Sequence, residues 1–251
     1  MFHKRFQIVF VLVLISMLTL AACQPKEVEV IKEVEVIKEV EVVKEVEAPE
    51  VPTGTLVRAV STFPNSLDHP QAAERQASTT DWQMYDSLVW TGVGGTIVPQ
   101  LAESWEASDN GLEYTFHLRD DVVFHNGEAF NADAVVFNWD RVVNSDFEYA
   151  YHWQTAIAVE AVDEFTVKAT LEEPNALFLS TVADNWAMIP PGYYEEVGQD
   201  GFNEHPMGTG PYKFVEWVKG DHITMEANLD YWRGAPKIET VVFRPIPESA
   251  T

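Results

Sequence analysis

The sequence predicts a mixed α/β or α+β domain standing behind an amino-terminal leader and a charged spacer. Three observations carry this. Residues 114–119 alternate, with Tyr114, Phe116 and Leu118 apolar against Thr115, His117 and Arg119, the period of a half-buried strand. Other stretches place apolar residues at helical spacing, such as Trp82, Tyr85 and Leu88. Strand and helix signals then mix along residues 55–251 without strict alternation. The hydrophobic share of 46% is ample for a packed core, and the 251 residues have room for one large domain or two small ones.

The chain begins "MFHKR" and continues "FQIVFVLVLISMLTLAA" before Cys23. A basic start, an apolar run too short for a comfortable span and small residues at its end make a secretory leader over residues 1–22. The ending "LAAC" resembles a bacterial lipobox, in which Cys23 becomes the lipidated first residue. Cys23 is the one cysteine, which excludes an intrachain disulfide. Residues 23–53 read as a spacer built on a KEVEVI repeat starting at Lys26, Lys32, Lys38 and Lys44. A six-residue period keeps register on a strand but winds around a helix, so the repeat specifies no stable isolated element. Fully extended, it reaches at most about 100 Å, which would hold the folded part clear of a lipid surface. Pro49, Pro52 and Gly54 end it, and the globular part starts at about residue 54.

From there "TLVRAV" reads as a strand and Ala72 to Leu88 as a helix. "GVGGTIVP" is a hairpin turn between short strands, without the spacing that cradles a phosphate. "LAESW" is expected to form a helical turn before the next strand. Asp109-Asn110-Gly111 and His125-Asn126-Gly127 are turns, and Asn131 caps a helix with Asp133 in its first turn and Val135, Val136 and Trp139 inside. "TAIAVEAVDEFTVKATLEEP" gives two strands joined at Asp163-Glu164, "NALFLSTVA" a helix, and "WAMIP" a short strand. A loop is expected up to "PMGTG". Residues 213–218 and 222–227 form a hairpin around Lys219-Gly220-Asp221, and "IETVVFRPIP" is the last strand.

The stretch 114–142 gathers His117, Asp120, Asp121, His125 and Asp133, which raises the question of a metal or acid/base site. On the assignment above these side chains point in different directions. The seven histidines contain no HExxH, and the chain has no GxSxG elbow. Nothing here assembles a metal ligand set, a cofactor site or an enzyme. With 16 Lys and Arg against 40 Asp and Glu, the net charge of -24 disfavours nucleic acid as a partner.

Three blocks fall into a known order: "TLVRAVSTFPNSLD", "PQLAESWEASDNGLEYTFHLRDDVVFHNGEAFNADAVVFNWDRV" and "MGTGPYKFVEWVKGDHITMEANLDYWRGAPKIETVVFRPIP". Together they resemble the family 5 extracellular solute-binding proteins of ABC transporters, the oligopeptide- and dipeptide-binding type. The resemblance implies the first lobe of a class II periplasmic-binding-protein fold, with an inserted subdomain over about residues 75–170 and the second lobe missing beyond Thr251. It further implies an extracytoplasmic subunit, lipid-anchored through Cys23, that binds a peptide and delivers it to permease subunits with their ATPase. Nickel, haem or oligosaccharide are the alternative ligands, and a truncated, non-transporting lobe is the alternative role. By the same resemblance Ala73 and Arg75 offer main-chain contacts to ligand, and Phe63 and Trp186 form apolar walls. The two glycines of Gly208-Thr209-Gly210 serve backbone geometry near a hinge. One departure stands out: the family's Ser-Leu-Asp-Pro-His reads Ser66-Leu67-Asp68-His69-Pro70 here, which shifts a proline-imposed restriction by one residue.

Overall fold

A computed structural model of the chain describes residues 51–72 and 75–246, with backbone alone at 75–77. The leader, Cys23, the repeat spacer and Ala73 lie outside the described residues, as does the side chain of Arg75.

The first strand, β1 (Thr55–Val60), is followed by helix α1 (Arg75–Asp81), which is much shorter than the helical spacing of Trp82, Tyr85 and Leu88 predicts. Tertiary bonds end it. The Asp81 carbonyl takes amides from both Met84 and Tyr85, at 2.7 and 3.1 Å. The carbonyls of Gln83 and Met84 then accept from Tyr212 and Gly210, both at 2.9 Å, which removes them from any helical ladder. Strands β2 (Val89–Thr91) and β3 (Ile97–Pro99) make the expected hairpin.

"LAESW" is not a helical turn. Ala102–Ala107 is strand β4, paired antiparallel with β5 (Glu113–Leu118), Trp105 opposite Phe116, with a bulge between Ala102 and Ser104. Helix α2 (Ala132–Val143) starts as predicted: the Asn131 side chain accepts from the Ala134 amide at 3.0 Å, and Asp133 lies in the first turn. Its buried face is Ala134, Val135, Asn138 and Val142, with Val136 and Trp139 half-buried beside it. Strands β6 (Ala156–Asp163) and β7 (Thr166–Leu171) complete an antiparallel sheet in the order β4-β5-β7-β6.

Helix α3 (Phe178–Asn185) follows, but "WAMIP" forms no strand. Its backbone is engaged elsewhere: Met188 N donates to Asp86 O at 3.1 Å and Ile189 N to the Asn138 side chain at 3.1 Å. The loop expected next is helix α4 (Pro191–Glu204), which starts on Pro191 and kinks at Gly198, where φ is 68°. Its start is capped from outside. The Glu128 carboxylate accepts from the amides of Gly192 and Tyr193, both at 2.9 Å, a placement favoured at the positive end of a helix. No local pattern announces that cap, since its residue lies 64 positions earlier.

Strands β8 (Tyr212–Val218), β9 (His222–Ala227) and β10 (Thr240–Pro245) close the fold. They make a second sheet in the order β1-β10-β9-β8, with β1 parallel to β10 and the other pairs antiparallel. Each sheet has its own apolar core. One gathers Phe116, Val135, Val167, Ala169, Leu171, Phe178 and Val182 under the β4-β5-β7-β6 sheet. The other gathers Leu67, Tyr85, Phe202, Ile223, Met225, Val241 and Phe243 against the β1-containing sheet. Each large side chain so buried contributes roughly 1.5–3 kcal/mol. Strand β1 is different: Leu56 and Val57 are 49% and 58% exposed, on opposite faces of the sheet's edge.

Candidate functional site

The parallel strands β1 and β10 run out at Val60 and Pro245. Ligands of open α/β sheets bind outside the carboxyl ends of such strands, which is where the loop leaving β1 lies. Phe63 is half-buried there, its ring edge-on to Trp217 with centroids 6.0 Å apart. Trp217 lines an open hollow of about 640 Å³ together with Asn203, His205, Phe214 and Lys219. Farther along the loop a second hollow, of about 570 Å³, is lined by Gln71, Ser145, Asp146, Phe147, Glu148 and Gln199.

Between these hollows the loop dives inward and is tied down by polar groups. The Ser66 hydroxyl bonds Asn203 Oδ1 at 2.5 Å and accepts from the Asp68 amide at 3.0 Å. Asp68 is fully buried, and its Oδ2 accepts from Arg141 Nη1 of α2 at 2.7 Å. The guanidinium of Arg141 lies over the rings of Tyr194 and Phe147, at 4.9 and 5.5 Å. Burial works against its charge, while Asp68 holds its proton in place and raises it from the usual arginine range. The Tyr85 hydroxyl donates to Leu67 O at 2.7 Å; burial first, then the Asp68 and Asp81 charges, push that phenol well above its usual range. His69 is also buried, its Nε2 2.9 Å from Asp184 O and its Nδ1 3.5 Å from Asp81 Oδ2.

Two more buried polar knots lie along the same seam between the cores. Asp86 accepts from Gln100 Nε2 (2.6 Å) and Tyr231 Oη (3.1 Å) on one oxygen, and from Trp232 Nε1 (3.0 Å) and Thr209 Oγ1 (3.2 Å) on the other. Burial pushes its carboxyl up, and the hydrogen bonds from Trp232, Tyr231 and Thr209 pull against that. His125 gives the Gly208–Gly210 segment its second support. Its Nε2 donates to Gly210 O at 2.9 Å, its Nδ1 accepts from Gly208 N at 3.3 Å, and burial depresses it to about 4. The glycines there are required by close approach: a methyl at Gly208 would stand 2.2 Å from Met84 O, and one at Gly210 2.5 Å from the Met84 carbonyl carbon.

The polar residues of 114–142 therefore do not converge. His117 sits on β5 opposite Ser104 and Thr166, and Asp121 is exposed in a two-pronged pair with Arg119. Asp133 sits in the first turn of α2. Of His117, Asp120, Asp121, His125 and Asp133, His125 alone turns inward, to a backbone segment more than eighty residues away. Among the described residues no group of three or more His, Cys, Asp or Glu stands close enough to hold a metal.

Nor do the two described apolar residues implied as ligand walls come together. Phe63 packs against the core of the β1-containing sheet, whereas Trp186 belongs to the other core. The Trp186 ring is 1% exposed and lies 4.8 Å from that of Trp153, so it has no open face to offer. The Asp68, His69, Asp81 and Arg141 cluster went unread in the sequence. Its one signal was the displaced proline at 69–70, which put a histidine where the loop turns inward.

Residues 96–251 match the model of the bacterial extracellular solute-binding proteins, family 5 (Middle). The glutathione-binding protein GsiB of Pectobacterium atrosepticum is 37% identical over 196 residues, covering 76% of this chain and 38% of the relative. Among solved structures, the periplasmic binding protein DppA of Helicobacter pylori in complex with the peptide STSA superposes with a TM-score of 0.72. It is 32% identical, over 78% of this chain and 43% of that one. NikZ of Campylobacter jejuni in complex with Ni(L-His) gives 0.71 at 29% identity, over 78% and 40%. The chain thus spans less than half the length of each of these relatives.

Proposed function

Because the chain belongs to the family 5 bacterial extracellular solute-binding proteins, we propose that it is the ligand-receiving first lobe of a peptide-binding subunit of an ABC importer. The observation that carries this reading is the loop leaving β1: it sits at the carboxyl ends of a parallel strand pair, packs Phe63 on Trp217 at the wall of one hollow, and gives Gln71 to the lining of another. A peptide is favoured because an extended backbone needs only loop main chain and an apolar wall. The relatives that bind glutathione and the STSA peptide support that choice; the Ni(L-His) complex of NikZ supports the alternative. The leader and the "LAAC" ending support anchoring outside the cytoplasm through lipid on Cys23, beside a permease and its ATPase.

Amide resonances of the labelled chain, titrated separately with trialanine, nickel–histidine and haemin, test the reading. Trialanine should move the amides of Ser61–Ala72, saturating only in the millimolar range because this chain alone makes few of the contacts that repay the cost of association. Shifts from nickel–histidine or haemin in that loop, with none from trialanine, would replace peptide with the competing ligand. Incorporation of labelled palmitate that survives C23S would take the lipid attachment off Cys23.

A further inference from the structure

We propose that Asp184, beside a row of aromatic rings built around His69 of the loop leaving β1, is a subsite for the guanidinium of an arginine-bearing ligand. That ligand role rests on reading the loop as ligand-facing.

Rings from separate stretches of the chain stand in an unbroken row. Trp90 of β2 meets Trp82 with centroids 5.2 Å apart, Trp82 meets His69 at 4.6 Å, and His69 meets Tyr149 at 5.0 Å. Tyr149 in turn meets His152 at 5.6 Å, and His152 meets Tyr151 at 3.9 Å. The row is not a core. Within it only His69 is buried; Trp82, Trp90, Tyr149 and His152 are half-buried, and Tyr151 is 61% exposed. Aromatic faces left partly in water are what a cation stacks on.

Asp184 supplies the charge. It is exposed in the last turn of α3, and its main-chain carbonyl stands 2.9 Å from His69 Nε2, which ties it to the middle of the row. Its carboxylate meets Thr91 Oγ1 at 3.5 Å, and among the described residues no cation forms an ion pair with it. The row feels that charge: burial holds His152 below its usual range, and Asp184 pulls it back up. The last turn of α3 carries no basic residue, and the carbonyl end of a helix is itself negative. An acid there is disfavoured on its own, and an arriving cation is favoured twice. A guanidinium suits both halves, since its flat face stacks on rings and its fork of donors matches a carboxylate. An ammonium brings a compact, strongly hydrated charge instead.

The test titrates the isotope-labelled full chain, at neutral pH and physiological salt, with N-acetyl-arginine amide, its neutral isostere N-acetyl-citrulline amide, and N-acetyl-lysine amide. The arginine probe should move the amides of Thr91, His152 and Asp184 and the indoles of Trp82 and Trp90, and ring currents should shift its own side-chain protons upfield. The citrulline probe should do neither, and the lysine probe should bind about threefold or more weakly. D184N should weaken the arginine probe by about threefold or more. The control is E164Q, an exposed acid whose carbonyl takes the Ala132 amide at the start of α2, whereas residues 148–153 lie beyond its end. It should leave binding within about 1.5-fold. A citrulline probe that binds equally well would overturn the inference and leave ring contact without charge. Equal weakening by E164Q would overturn it in favour of general attraction to an acidic surface, and a lysine probe equal to arginine would overturn the guanidinium assignment. If D184N fails to fold, the citrulline comparison decides alone. Trialanine without effect on Ser61–Ala72 would leave a positive result here standing, and a silent arginine probe would leave the peptide reading standing.

Discussion

The two apolar cores and the polar seam between them hold the same domain by opposite means. In the cores neighbours are announced locally: Val167, Ala169 and Leu171 alternate on β7, Ile223 and Met225 on β9, Val241 and Phe243 on β10, and each alternation ends up buried. In the seam the partners are strangers in sequence. Asp68 meets Arg141 across 73 residues, Asn138 meets Ile189 across 51, and Asp86 meets Trp232 across 146. Periodicity carries a face; it carries nothing about which buried carboxylate meets which donor.

That difference separates what the sequence made legible from what it did not. Every strand whose burial alternates was readable, and so was α2, whose cap Asn131 lies within reach of its own first turn. One misreading, "LAESW", lies in a sheet, where pairing with β5 makes it strand β4; the other three lie where a seam contact overrides local preference. α1 stops short because Gly208 and Gly210 press on Met84 and Tyr85, "WAMIP" gives its amides to Asp86 and Asn138, and α4 depends on Glu128 from another element. The candidate site follows suit. Phe63 was within reach of the resemblance, whereas the buried cluster that fixes its loop has no spacing of its own, and Trp186 proved to be core.

The comparison can be sharpened from both sides. At a core position, F116A, in a side chain 0% exposed, should lower unfolding free energy by about 3–5 kcal/mol in urea titration. A loss below about 1 kcal/mol would mean that the sheet core relaxes freely. At the seam, G208A should cost about 1–3 kcal/mol, since its methyl meets backbone rather than a mobile side chain; an unchanged midpoint would mean the segment can move off Met84.

The next effect is smaller and depends on pH. His125 ordinarily titrates near 6.5 and is held down to about 4 when folded. Between those values the unfolded chain binds the extra proton, so the stability from this group is complete above about 6.5 and drains away as pH falls towards 4. H125Q should flatten the stability profile across that window, and an unchanged slope would mean that burial does not hold His125 down in the folded chain. The smallest effect belongs to neither region. V57K, on the exposed edge of β1, should leave thermal stability within about 0.5 kcal/mol and reduce self-association in sedimentation. Equal association of both proteins would show that the edge is already guarded.

One measurement bears on the seam most directly: a double-mutant cycle by urea unfolding at the buried pair that anchors the loop, with D68L, R141M and D68L/R141M. An ionic seam predicts that each single change costs about 3–5 kcal/mol, by stranding the other charge, and that the double costs less than either. Additive losses would contradict it, and would mean that the loop leaving β1 is held by packing alone.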